Sequence, residues 1–106
     1  MKKIYNKLVR DRIPEIIKAG GSTCTVRVLS DEEYLSMLDA KLTEELAEYH
    51  ADGNPEELAD LLEVIYAAAG ARGVSPDTLD GIRQEKAIKR GAFEQKLLLV
   101  DVTEAD

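Results

Sequence analysis

Four residues, Asp52-Gly53-Asn54-Pro55, separate two helical stretches and set the architecture of this chain. Glycine stops the stretch before the break, asparagine caps the one after it, and proline takes the first helical position. A break this short folds the two helices back on each other as an antiparallel hairpin. The stretch before it, KLTEELAEY (41–49), carries Glu44, Glu45 and Glu48. The stretch after it, EELADLLEV (56–64), carries Glu57 and Asp60. At about 100° per residue, Glu44 and Glu48 share one helix face and Glu45 and Glu48 sit one turn apart. Asp60 falls one turn after Glu57, among Leu58, Leu61 and Leu62. The hairpin can therefore bring carboxylates from both helices together beside an apolar seam. Such a group repels itself unless a hard cation neutralises it, and Mg²⁺ takes oxygen ligands of this kind.

The same punctuation recurs along the chain. Ile13-Pro14-Glu15-Ile16-Ile17 reads as a short first helix that Gly20-Gly21 stops. Ser30-Asp31-Glu32-Glu33 is a capping box opening the second helix, whose Leu35, Leu38, Leu42, Leu46 and Tyr49 keep three-or-four spacing. The third helix ends before Gly73, and Ser75-Pro76-Asp77 starts a fourth that runs to about Gly91. Between the first two helices, residues 23–29 alternate and are rich in β-branched side chains, the signature of a short strand. The apolar 93–102 segment, with Leu97-Leu98-Leu99-Val100 at its centre, is expected to pair with it. The expected fold is thus mainly α. It is one domain over residues 1–106, a bundle of about four helices with a small two-stranded β addition.

Composition narrows the function classes. Hydrophobic residues make up 44% of the chain, enough for a folded core, while 33% charged and 5% aromatic residues suit amphipathic helices. A net charge of −7 argues against non-specific binding to nucleic acid or to an anionic membrane. It leaves room for a nucleotide, because a metal ion can bridge acidic protein to phosphate. The run of small residues at 66–71 allows close helix contact, and a homo-oligomer, dimer or higher, is expected. The single cysteine, Cys24, has no internal disulfide partner, which fits a reducing cytoplasm. No apolar stretch follows Met1-Lys2-Lys3 as a secretory signal requires, and nothing approaches transmembrane length.

Each candidate residue also has a structural reading. Glu57 stands three residues after Asn54, where a capping-box glutamate belongs. Glu44 and Glu45 can be solvated charges with Lys41 as a helical partner. Asp60 tips the balance: aspartate is a poor mid-helix residue, and burying it unpartnered costs several kcal/mol. Two basic segments stand out in this acidic chain, Asn6 to Arg12 and Lys86 to Gly91. Lys86, Lys89 and Arg90 suit a helix C-terminus, and equally a clamp on phosphate oxygens in which Asp11 orients one basic group. His50 and Cys24 read as a surface and a packed residue, and Gly20-Gly21 lacks the lysine and hydroxyl of a phosphate-binding loop. Water activated by metal and carboxylate is the chemistry these residues support.

KLTEELAEY, EELADLLEV and KAIKRGAF (86–93) resemble the motifs of the MazG-like all-α nucleotide pyrophosphohydrolases, the first two as paired E-x-x-E and E-x-x-D segments. The opening NKLVRDRIPEII (6–17) is similar to a small phosphoribosyl-ATP pyrophosphohydrolase-like branch with house-cleaning members. The resemblance implies Mg²⁺-dependent cleavage, with Mn²⁺ as a substitute, between the α- and β-phosphates of a nucleoside triphosphate. It implies Glu45, Glu48, Glu57 and Asp60 as metal ligands, and Glu44 or Glu45 as the base that activates water. It implies Lys7, Arg10 and Lys86 as phosphate contacts. Phosphoribosyl-ATP hydrolysis in histidine synthesis and a non-catalytic nucleotide-Mg²⁺ sensor are the alternatives. Only eight residues separate Glu48 from Glu57, fewer than in larger members, so the hairpin turns tightly.

Overall fold

Three hydroxyl or amide side chains start the three long helices. A computed structural model describes residues 1–105 and contains α1 (Ile13–Ala19), α2 (Asp31–Asp52), α3 (Pro55–Ala71) and α4 (Pro76–Arg90). At α2 the Glu33 N–H donates to Ser30 Oγ at 3.2 Å and the Ser30 N–H returns to the Glu33 carboxylate at 3.3 Å. Arg27 completes this start with two bonds to the same carboxylate, at 3.2 and 3.0 Å. Led by Arg27, these donors hold the Glu33 carboxyl down to about 2. Asn54 Oδ1 accepts the Glu57 N–H at 3.1 Å to open α3, and Ser75 Oγ accepts the Thr78 N–H at 3.1 Å to open α4. Pro55 and Pro76 follow, where a missing N–H is harmless.

Gly53 makes the hairpin tight. It sits at φ 66°, a left-handed conformation that disfavours residues with a Cβ, and its N–H closes on the Tyr49 carbonyl at 2.7 Å. α2 and α3 fold back against each other, α4 lies against α3, and α1 packs on none of them. The N-terminal region is instead tied down by ion pairs from Lys7 and Arg10.

The anticipated β addition is absent: among the described residues there is no strand, 23–29 is irregular, and 93–102 opens with a turn, closed by the Lys96 N–H on the Phe93 carbonyl at 3.4 Å, and goes on without pairing. A strand requires a ladder partner, and neither segment meets the other. The core is small. Among the described residues Leu38 is the fully buried hydrophobic side chain, at 2% exposure, and the other buried side chain is a carboxylate, Glu45, at 7%. Ala67, Ala68 and Ala69 are half-buried, while Ala71 is exposed. No helix among the described residues is long and apolar enough to cross a membrane.

Candidate metal centre

Glu45 occupies the α3-facing side of α2, on the line that also carries Leu38. Across the hairpin, Glu57 stands in the first turn of α3 and Asp60 one turn further on. One carboxylate oxygen from each of Glu45, Glu57 and Asp60 lies within 4.8 Å of the other two. The tight turn at Gly53-Asn54 produces this convergence by setting the last turns of α2 beside the first turns of α3.

Two oxygens in this group are orphans. Glu45 Oε2 and Glu57 Oε2 are buried and have no hydrogen-bond partner. A buried acceptor without a donor costs about 1–3 kcal/mol, and more when it is charged. Burial, then the neighbouring Glu48 charge, pushes the Glu45 carboxyl up. Burial likewise pushes Glu57 up, followed by the charges of Glu48, Asp52 and Asp60. Both groups thus resist ionisation as they stand, and a divalent cation among them would remove that resistance. Three hard oxygen donors from two rigid helices fit Mg²⁺ or Mn²⁺ and do not suit a soft metal.

The remaining sequence candidates fall into three groups. Glu48 is exposed, rotated about 60° from Glu45 around α2, and borders the trio through its charge. Glu44 points to basic partners: Lys7 Nζ donates to it at 3.0 Å and Lys41 Nζ at 3.5 Å. The Lys7 hydrogen bond holds the Glu44 carboxyl below its ordinary value, and Glu44 in turn raises Lys7. Lys41 also reaches Glu45 at 3.5 Å. Arg10 Nη2 contacts Asp60 Oδ1 at 2.7 Å. Lys7 and Arg10 therefore both stand at the acids, one on each helix of the hairpin. Lys86 does not join them: it is exposed on α4, and among the described residues no ion pair ties it to the cluster. A small cleft of about 90 Å³ adjoins Lys7, bounded by Asn6, Leu8, Met37 and Lys41.

Glu57 serves the cap only through its backbone N–H, and its side chain takes no part. The reciprocal bond from the Asn54 N–H to the Glu57 carboxylate is not made among the described residues, so the capping box is half-formed. Asp52, which the sequence places in the turn, is the last residue of α2 and adds its charge and a hydrogen bond to those that raise Glu57. Its spacing carried the signal, since it stands seven residues after Glu45 and thus on the same side of α2.

Comparisons with known proteins add one relative. A 45-residue stretch is 62% identical to an uncharacterized protein of Mycolicibacterium smegmatis, covering 42% of this chain and 46% of that protein. The match thus spans less than half the length of that relative. No family model matches the chain, and no solved structure matches it.

Proposed function

We propose that this chain is a Mg²⁺-dependent nucleotide pyrophosphohydrolase that cleaves a nucleoside triphosphate to the monophosphate and pyrophosphate, in a house-cleaning role on non-standard nucleotides. The observation that carries the reading is the convergence of Glu45, Glu57 and Asp60 with two buried, unpartnered carboxylate oxygens. Those three residues would hold the cation, with Glu48 at its margin. When bound, Mg²⁺ neutralises phosphate oxygens and makes a coordinated water more acidic.

The chain's own residues supply the rest. Glu44 would accept a proton from the attacking water; Lys7 keeps it ionised but lowers its basicity, so Lys7 has to turn from Glu44 to a phosphate oxygen for Glu44 to act as a base. Lys7 and Arg10 stand beside the acids and give cationic donors for the phosphate oxygens and the departing pyrophosphate. The net charge of −7 makes such local cations necessary, since the protein as a whole repels a polyphosphate. The setting that suits a lone cysteine is a reducing cytoplasm, and the working form is a homo-oligomer.

The test is pyrophosphate release from a panel of natural and modified nucleoside triphosphates, with phosphoribosyl-ATP included, with and without Mg²⁺. Mg²⁺-dependent pyrophosphate supports the reading, and nucleotide binding without turnover makes the protein a sensor. Orthophosphate as the sole product contradicts cleavage between the α- and β-phosphates.

A further inference from the structure

The surface of this chain is too large for its mass. Its accessible area is 9604 Å², whereas a folded monomer of 11.7 kDa exposes about 5,900 Å². Its Cα radius of gyration is 18.9 Å, against about 13 Å for a compact domain of this length. The surplus of about 3,700 Å² is several times the roughly 800 Å² that each partner buries in a stable dimer.

The surplus includes two uncovered apolar features. Beyond α4, Gly91 takes φ 84° and ψ 170° and turns the backbone out of the helix into the 93–102 arm, which makes a turn at 93–96 and then runs on unpaired. Phe93 is 97% exposed, and Leu97, Leu98, Leu99 and Val100 are exposed at 84, 86, 78 and 82%. On α3, Leu58, Leu62 and Ile65 recur at helical spacing and form one stripe, exposed at 48, 46 and 37%. This stripe is rotated about 100° from Glu57, so it flanks the acid cluster without overlapping it. Apolar surface on this scale marks an interaction site.

We propose that two copies of this chain exchange their 93–102 arms, residues 97–100 of each lying along the Leu58, Leu62 and Ile65 stripe of the other. A second copy fits because every chain carries both an uncovered arm and an uncovered stripe. A two-fold exchange covers both at once and closes without open ends. Charge points the same way. Two chains of net charge −7 repel, and residues 97–100 form an uncharged stretch through which they can meet. The proposal stands apart from the nucleotide chemistry, and its test reads mass and linkage rather than turnover.

The test is sedimentation equilibrium on the full chain at micromolar concentration, for the wild type, Leu62→Asp and the Leu98→Asp/Leu99→Asp pair. The wild type should weigh at least twice 11.7 kDa. Each aspartate variant should weaken association by about tenfold or more. A second measurement covers variants that lose helicity: Leu62→Cys and Leu98→Cys chains, each with Cys24→Ser, are mixed and oxidised. A mixed disulfide between the two chains supports arm exchange. A helical wild-type monomer, a mass indifferent to the arm variants that stay helical, or the lack of a mixed disulfide overturns it.

Discussion

Arg10 donates from Nη2 to Asp60 Oδ1 at 2.7 Å, across fifty residues of sequence, and so places a cation from the N-terminal region on a carboxylate of α3. Asp60 is 42% exposed rather than buried, and the contact with Arg10 together with that exposure explains how a mid-helix aspartate is tolerated without a metal. The contact also sets a competition, since Arg10 holds a carboxylate on which a cation in the cluster would also draw. On the proposed function, Arg10→Ala should therefore raise Mg²⁺ affinity, by up to about tenfold, while lowering turnover through loss of the proposed phosphate donor. Both groups are exposed enough that the stability change should stay below about 1 kcal/mol. Calorimetric titration with Mg²⁺ and a kcat measurement on one preparation check this, and weaker Mg²⁺ binding would contradict the competition.

Asp60→Asn has two opposed effects on the metal-free protein. It relieves repulsion within the trio, which by itself raises thermal stability, and it breaks the Arg10 pair, which by itself lowers it. The unfolding midpoint without Mg²⁺ should consequently move little, while Mg²⁺ binding and most turnover are lost. Near-normal activity in both Asp60→Asn and Glu48→Gln would mean that the metal site is misassigned.

Cap and ligand separate cleanly at the start of α3. Asn54→Ala removes the bond to the Glu57 N–H and should cost about 1 kcal/mol, with Mg²⁺ affinity unchanged. Glu57→Gln keeps that bond, so stability should change by less than about 1 kcal/mol. Turnover in Glu57→Gln should nevertheless fall by about tenfold or more, because a charged hard oxygen leaves the site. Denaturation midpoints and pyrophosphate release for the two variants form the check. Full activity in Glu57→Gln would return that residue to the helix terminus.

The pH dependence of stability should turn over. Glu45 and Glu57 have carboxyls raised above 4.5, so the folded state binds more protons there than the unfolded chain. Stability from these two therefore grows as pH falls from neutral toward about 4.5. Glu33, Glu44 and Asp80 are lowered, so their contribution is present above the unfolded values and is lost on further acidification. The metal-free melting temperature should pass through a maximum in the mildly acidic range. Saturating Mg²⁺ should shift that maximum toward neutral pH, because the ligands must be ionised to bind it. Melting curves with and without Mg²⁺ across this range measure it, and a maximum that does not move would count against these acids as ligands.

The helices were legible because their ends depend on neighbours in sequence. Ser30, Asn54 and Ser75 cap through bonds spanning three residues, and Gly53 needs only its own left-handed backbone. The strands were misread because alternation at 23–29 reports a wish for burial and says nothing of a partner. The convergence of Glu45, Glu57 and Asp60 was legible from spacing, whereas the position of Glu48 beside them depends on how α2 rotates against α3. The resemblance places Lys86 among the phosphate contacts, whereas in the fold it is exposed on α4 with no ion pair, among the described residues, to the acid cluster. Asp52 reads as part of the turn from its place beside Gly53, whereas it is the last residue of α2 and helical phase aligns it with Glu45.

The most direct test compares pyrophosphate release by the wild type and Glu45→Gln, each with and without Mg²⁺. Glu45 is the decisive residue because its carboxylate is buried, carries an orphaned oxygen and resists ionisation without a cation. Glutamine keeps the volume and removes the charge, so the metal-free variant should melt no lower than the wild type. The wild type should release pyrophosphate only with Mg²⁺, and Glu45→Gln should lose that release by about tenfold or more at any Mg²⁺ concentration. Equal release from a folded Glu45→Gln, or wild-type release that ignores Mg²⁺, would contradict the assignment of this carboxylate cluster as the catalytic metal centre.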